Sequence, residues 1–211
     1  MDPYGTDSPA NQTARPKRKQ LVWLVSALWL SGVASGLWIV AAYDNRPGAE
    51  ATAPPAWPAS SALVRAMDRP TLVFLAHPQC TCTRASLGEL TEVLARAPQA
   101  PKTYVLFLRP LVFEAGWEKT DLWLSAAALP NVTVLRDDDG VEARRFGVET
   151  SGQTLLYDRR GQMVFSGGIT KSRGHKGDNA GTAALVALLG SGDPNRDRTS
   201  VFGCPLFGSA N

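Results

Sequence analysis

Charge is what this sequence has little of. Asp, Glu, Lys and Arg make up 19% of it, and the formal net charge is +3. So small a balance offers no electrostatic footprint for nucleic acid, and a general nucleic-acid binder is excluded. No internal repeat is visible, which excludes solenoids and propellers. Histidine is scarce: His77 and His175 are the only two. Cysteine is scarce and odd in number, so any single pairing among Cys80, Cys82 and Cys204 leaves one thiol over. The acidic run Asp137-Asp138-Asp139-Gly140 lacks the later ligands and closing Glu of a calcium loop, and reads as a turn and helix N-cap.

Charge is missing altogether from residues 21–43, LVWLVSALWLSGVASGLWIVAAY. Twenty apolar residues rising about 1.5 Å each cross the roughly 30 Å hydrocarbon layer, so a transmembrane helix is expected. A cleaved signal peptide is the competing reading, with an apolar region of about 7–15 residues. Val33-Ala34-Ser35 resembles a cleavage site, but the apolar run continues to residue 43, which favours an uncleaved anchor. Arg15, Lys17, Arg18 and Lys19 precede the span closely, while Arg46 alone follows it nearby. That asymmetry places the N-terminus in the cytoplasm and the rest outside. For a bacterial inner-membrane protein the domain is then periplasmic, in a compartment where disulfides persist. Gly32 and Gly36 form a G-x-x-x-G, a dimer face if two spans pack closely; small residues scattered along a single span are the alternative.

The chain divides into a disordered basic tail (1–20), the span (21–43), an extended Ala/Pro-rich linker (44–60), a globular domain (61–190) and a tail with Cys204 (191–211). Within the domain SALVRAM is expected as a short helix and TLVFLA (71–76) as a buried strand, a continuous apolar run between turn signals. A helix follows over 83–97, with Leu87, Leu90, Leu94 and Ala97 on one face, then a strand over 103–108. A helix over 118–129, a strand over 132–136 and a short helix through VEARRFG come next. QTLLYD (153–158) and QMVFSG (162–167) form a hairpin. A last helix covers 179–189. Alternating strands and helices give a partly parallel α/β sheet with helices on both faces, made mixed by the closing hairpin.

The chemistry concentrates in HPQCTCTRASLGEL (77–90). A cysteine at a helix N-terminus gains thiolate character from unpaired amides and the helix dipole, and a protonated His77 would add to it. Two small apolar residues packed in a core are the bland reading; a loop placement after a buried strand argues against burial. A disulfide closed over one intervening residue is strained and readily reduced. The same thiolates suit a soft metal such as Cu(I), with a histidine completing the set.

TLVFLAHPQCTCTRASLGEL resembles the active-site strand, loop and helix of the thioredoxin fold, and RRFGVETSGQTLLYDRRGQMVFSGGIT resembles the stretch through its last hairpin. More narrowly, HPQCTCTRASL, GGITKSRGHKGDNAG and VFGCPL resemble the bacterial membrane-anchored thioredoxin-like proteins called RedB. There are two departures. The motif is C-x-C where thioredoxins have C-x-x-C. Gln153 stands where they have a cis-proline, and a cis bond before a non-proline residue costs about 2.5–4 kcal/mol. The loop is therefore expected to be trans and differently shaped.

The resemblance implies a membrane-anchored, extracytoplasmic thiol–disulfide oxidoreductase with no cofactor and a thiol or disulfide protein as partner. Either Cys82 or Cys80 would be the attacking thiolate and the other its resolving partner, with His77, Cys204, His175 and Gln153 auxiliary. The alternatives are a copper-handling protein using Cys80, Cys82 and His175, or a binding module without catalysis. His175 is expected near the cysteines because its loop follows the hairpin. VFGCPLF is apolar enough to dock back on the domain, with Cys204 either resolving or simply buried.

Overall fold

In the computed structural model, which describes residues 15–190 and 197–208, the chain separates into two units, residues 1–43 and 44–211. The described residues of the first unit lie in one helix, α1 (Arg15–Asp44). It is long and apolar enough to cross a membrane. It begins within the stretch expected to be a disordered tail: Arg, Lys and Gln are good helix formers, and Pro16 falls in the first turn, where its missing N–H is harmless. The rest of that expected tail, 1–14, lies outside the described residues. A Cβ added at Gly32 or Gly36, one turn apart on α1, would meet nothing within 4 Å beyond the helix's own backbone and chain neighbours.

The second unit holds β1 (Thr71–Ala76), α2 (Thr81–Arg96), β2 (Lys102–Arg109), α3 (Asp121–Ala127), β3 (Val132–Asp138), α4 (Val141–Arg145), β4 (Thr154–Tyr157), β5 (Met163–Gly167) and α5 (Ala180–Gly190). The strands form one sheet in the order β3-β2-β1-β4-β5. β1, β2 and β3 pair in parallel, while β4 runs antiparallel to β1 and to β5. The central strand β1 is buried along its whole length, as its unbroken apolar run requires. Strand pleating sends alternate residues to opposite faces. Leu72, Phe74, Val105 and Phe107 enter a core with Leu87 and Leu90 of α2 and Leu185 of α5. Val73, Leu75, Tyr104, Leu106 and Leu155 enter a second core with Phe146, Val148 and Tyr157.

That second core is closed by residues 51–57, part of the expected free linker, which is instead a strap on the domain. Thr52 N–H donates to Gly147 O at 2.9 Å and Trp57 N–H to Gly161 O at 2.7 Å. Pro54 and Pro55 have no N–H, but their carbonyls accept from Tyr157 Oη at 3.2 Å and Met163 N–H at 2.8 Å. The Trp57 ring meets Phe146 and Tyr157 edge-on at 5.1 and 5.2 Å. A small domain with an open apolar face needs such a cover, and the strap supplies the aromatic for it.

SALVRAM is not helical. Side chains take the backbone groups a helix would need. The Glu142 carboxylate accepts from Ser61 Oγ at 2.6 Å and Ala62 N–H at 2.9 Å, and Val64 O accepts from Lys102 Nζ and Tyr104 Oη. Seven residues cannot offset that without packing support. The acidic run behaves as a cap: Asp137 accepts from Glu142 N–H and Ala143 N–H at the start of α4. Burial raises the Asp137 pKa, against those two amides, which lower it.

Candidate thiol site

β1 is the strand at which the sheet changes from parallel to antiparallel pairing, and residues 77–80 leave its carboxyl end at that switch point. Cys80 is the N-cap of α2, with extended backbone (φ −99°, ψ 124°), and Cys82 lies in the first helical turn. The segment is held by Ser151, whose Oγ accepts from His77 N–H at 2.9 Å and meets Thr83 Oγ1 at 2.6 Å, and by Thr120, whose Oγ1 donates to Pro78 O.

Both cysteines are buried, at 3% and 6% relative exposure, contrary to the solvent-facing pair expected of a loop. The cover is the C-terminal segment. Residues 197–208, expected as a tail outside the domain, form an arm docked on it; residues 191–196 lie outside the described residues. Asp197 O accepts from Ser166 N–H, Val201 O accepts from Gly48 N–H at 2.8 Å, and Val201 and Leu206 are buried. The arm ends beside residues 149–151, and the Cys204 Sγ comes to 2.7 Å from the Cys80 Sγ. All three cysteines are free thiols.

Their acidities differ. Burial opposes ionisation of Cys80, but the hydrogen bond from Cys204 and the amides of Thr83, Cys204 and Cys82 outweigh it, and its pKa falls below the ordinary thiol value. This is the effect of a helix N-terminus on an anion. Cys82 moves the other way, raised by burial and then by the charge on Cys80. Cys204 is pushed up to about 12, by burial, by its hydrogen bond to Cys80 and by the negative charge there. The site therefore sets one thiol made more acidic beside two made less acidic.

His77 is half-buried, which lowers its pKa; its Nδ1 accepts from Gln79 N–H at 3.2 Å, and the ring packs edge-on against Trp117. A neutral imidazole replaces the expected cation. His175 is exposed, with Nδ1 at 2.6 Å from Arg173 O. Its loop does reach the thiols, but through other groups. The Gly174 amide and the Arg173 charge both lower the Cys82 pKa, and Arg173 does the same for Cys204. The Arg173 guanidinium also donates to Gly203 O at 2.6 Å. Among the described residues, no group of three or more His, Cys, Asp and Glu could hold a metal ion. Gln153 is buried beneath the site: its carbonyl accepts from Leu75 N–H and its Nε2 donates to Ser166 Oγ at 2.9 Å.

Arg173, Ser151 and Thr83 were not singled out in the sequence. Arg173 lies two residues from His175 in a loop already marked by its glycines, where a cationic neighbour for the thiols is the better guess. Ser151 and Thr83 carry no sequence signal, since two hydroxyls 68 positions apart meet only through the fold.

No family model and no curated protein matches the chain. Among solved structures, an uncharacterised conserved protein from Geobacillus kaustophilus aligns with 79% of this chain and 94% of its own, at 17% identity and a TM-score of 0.55. A hypothetical protein from Sinorhizobium meliloti 1021 aligns with 79% of this chain and 96% of its own, at 18% identity and a TM-score of 0.52. An exposed lipoprotein thioredoxin from Streptococcus pneumoniae TIGR4 aligns with 60% of this chain and 95% of its own, at 17% identity and a TM-score of 0.42. Identities this low bear on fold alone. The fold is thioredoxin-like: a mixed five-stranded sheet with flanking helices and a cysteine pair at the strand-to-helix junction.

Proposed function

We propose that the chain is a membrane-anchored, extracytoplasmic thiol–disulfide oxidoreductase in which Cys80 is the attacking thiolate. One observation carries the reading: Cys80 is buried, yet its acidity is raised by the α2 amides and by a second thiol 2.7 Å away. A structural cysteine in an apolar setting has its pKa raised instead. The nucleophile in disulfide exchange is the thiolate, so lowering the Cys80 pKa enlarges the fraction that attacks a disulfide sulfur without a general base. His77 need not act as one, in keeping with its lowered pKa. The Cys82 and Cys204 thiols stand beside it as candidates to resolve the mixed disulfide.

Anchoring by α1 with the domain outside the cytoplasm fits this chemistry, because an exported dithiol meets oxidised partners. Stabilising the thiolate stabilises the reduced form, which moves the potential toward the oxidising end, above about −270 mV for a thioredoxin-type couple. The test is a redox titration of the full chain in detergent micelles against glutathione buffers. The expected result is a two-electron couple that Cys80→Ser abolishes. A chain whose thiols stay reduced across the whole glutathione range would refute the reading.

A further inference from the structure

We propose that residues 203–206 occupy the place of an extended, cysteine-bearing segment of the partner protein, and that Cys204 is the thiol that resolves the disulfide such a partner forms with Cys80. The inference rests on the oxidoreductase reading and adds to it the class of substrate and the identity of the second thiol.

The arm is held where a peptide would be. It runs antiparallel to residues 149–151, with Thr150 opposite Pro205, as one added rung of β-structure. Ser151 N–H donates to Cys204 O at 2.9 Å, and Leu206 N–H donates to Glu149 O at 2.8 Å. Arg173 donates to the Gly203 carbonyl. These three contacts address main-chain atoms, so any extended chain in the same register offers the same groups. Pro205 falls between the two hydrogen-bonded positions, where no N–H is called for. Gly203 meets a strict limit: a Cβ there would lie 1.8 Å from Ser151 O. The matching partner segment has a small residue before its cysteine. Beside the arm lies an open cleft of about 700 Å³, walled by Arg144, Glu149, Thr150 and Phe207, where a longer segment can continue.

Cys204 is better placed than Cys82 to resolve. Cys82 also hydrogen-bonds Cys80, but it is fixed in the first turn of α2, whereas the arm carries the Cys204 sulfur to 2.7 Å from Cys80 and is the segment whose place the partner takes. The chemistry balances without an outside reagent. The Cys80 thiolate attacks one sulfur of a partner disulfide, the Cys80–partner S–S bond forms, and the other partner sulfur leaves as a thiolate. The arm, displaced while the partner is bound, returns to its rung. Cys204 gives up its proton to the departing partner sulfur as its own sulfur attacks Cys80. The partner disulfide has gained two electrons, and the Cys80–Cys204 dithiol has lost them. Two of the influences that raise the Cys204 pKa, its hydrogen bond to Cys80 and the Cys80 charge, vanish once Cys80 is in a mixed disulfide, so the resolving thiol becomes more acidic when needed.

The test uses the full chain in detergent micelles and a fluorescent peptide containing Gly-Cys-Pro, supplied as its mixed disulfide with glutathione. Wild type is expected to release the peptide and to yield a Cys80–Cys204 disulfide by peptide mapping. In Cys204→Ser the peptide–Cys80 adduct should persist about 100-fold longer, the ratio of a tethered thiol at about millimolar effective concentration to free thiol at about 10 µM. Cys82→Ser should lengthen the lifetime far less than Cys204→Ser does. A peptide with Val in place of the Gly should react more slowly. Equal adduct lifetimes in wild type and Cys204→Ser, a Cys80–Cys82 disulfide on mapping, or equal rates for the two peptides would overturn the inference and leave the oxidoreductase reading standing. If wild type forms neither the adduct nor any disulfide, both fall together.

Discussion

Replacing Gly203 with alanine gives the arm a defined push. The new Cβ would stand 1.8 Å from Ser151 O and 2.8 Å from Ser151 C, both backbone atoms that cannot swing aside. Reaching an ordinary carbon–oxygen contact of about 3.4 Å means a retreat of about 1.6 Å. That breaks the hydrogen bonds from Ser151 N–H to Cys204 O (2.9 Å) and from Leu206 N–H to Glu149 O (2.8 Å). At about 1 kcal/mol each, the docked arm loses about 2 kcal/mol, which lowers the ratio of docked to undocked arm about 30-fold. Cys80 is 3% exposed beneath the arm, so alkylation requires the arm to lift. Carbamidomethylation of Cys80 by iodoacetamide near neutral pH, followed by mass spectrometry, should therefore accelerate about 30-fold in Gly203→Ala, in proportion to the undocked fraction. Amide exchange at Ser151 should accelerate with it. An unchanged Cys80 rate together with an unchanged Ser151 amide would refute the claim that the arm covers the site.

Three further outcomes follow from the same geometry. The Cys80 pKa is lowered from the ordinary thiol value, so its thiolate persists to lower pH and is lost only as pH falls through that depressed value. Alkylation against pH, scored by residue, should thus rise first at Cys80 and last at Cys204, whose pKa is about 12. Arg173→Gln should move the Cys82 and Cys204 profiles to higher pH, because the guanidinium lowers both, whereas His175→Ala should leave the Cys80 profile in place. Trp57→Ala removes the edge-on contacts with Phe146 and Tyr157 and should cost about 2–4 kcal/mol in denaturant unfolding, where a true linker would cost nothing measurable.

Local signals carried much of the domain. TLVFLA is apolar without a break, and only a strand buried on both faces suits it, so β1 stands where it was expected. α2, β2, β3 and the hairpin also stand within a few residues of their expected bounds. SALVRAM failed for a reason no local pattern holds: Glu142, some 80 positions away, captures its backbone. The strap failed the same way: an Ala/Pro-rich segment reads as a spacer, and its role appears only where Trp57 finds Phe146. At the site, the helix N-terminus gave Cys80 its character in advance. Cys204 was legible only as an option, a resolving or buried thiol on an apolar segment able to dock back, and its place 2.7 Å from Cys80, 124 positions away, comes from the fold.

The central claim is that Cys80 is the attacking thiolate, and the most direct measurement is the site of first attack. The full chain, fully reduced in detergent micelles near neutral pH, is exposed to a limiting amount of glutathione disulfide and quenched with acid within the first turnover. Residue-level mass spectrometry then reports where glutathione or its resolved disulfide sits. The expected result is glutathione on Cys80 at the earliest times, giving way to an internal disulfide that contains Cys80, with no adduct of either kind in Cys80→Ser. First adducts on Cys82 or Cys204, or an undiminished yield in Cys80→Ser, would contradict it.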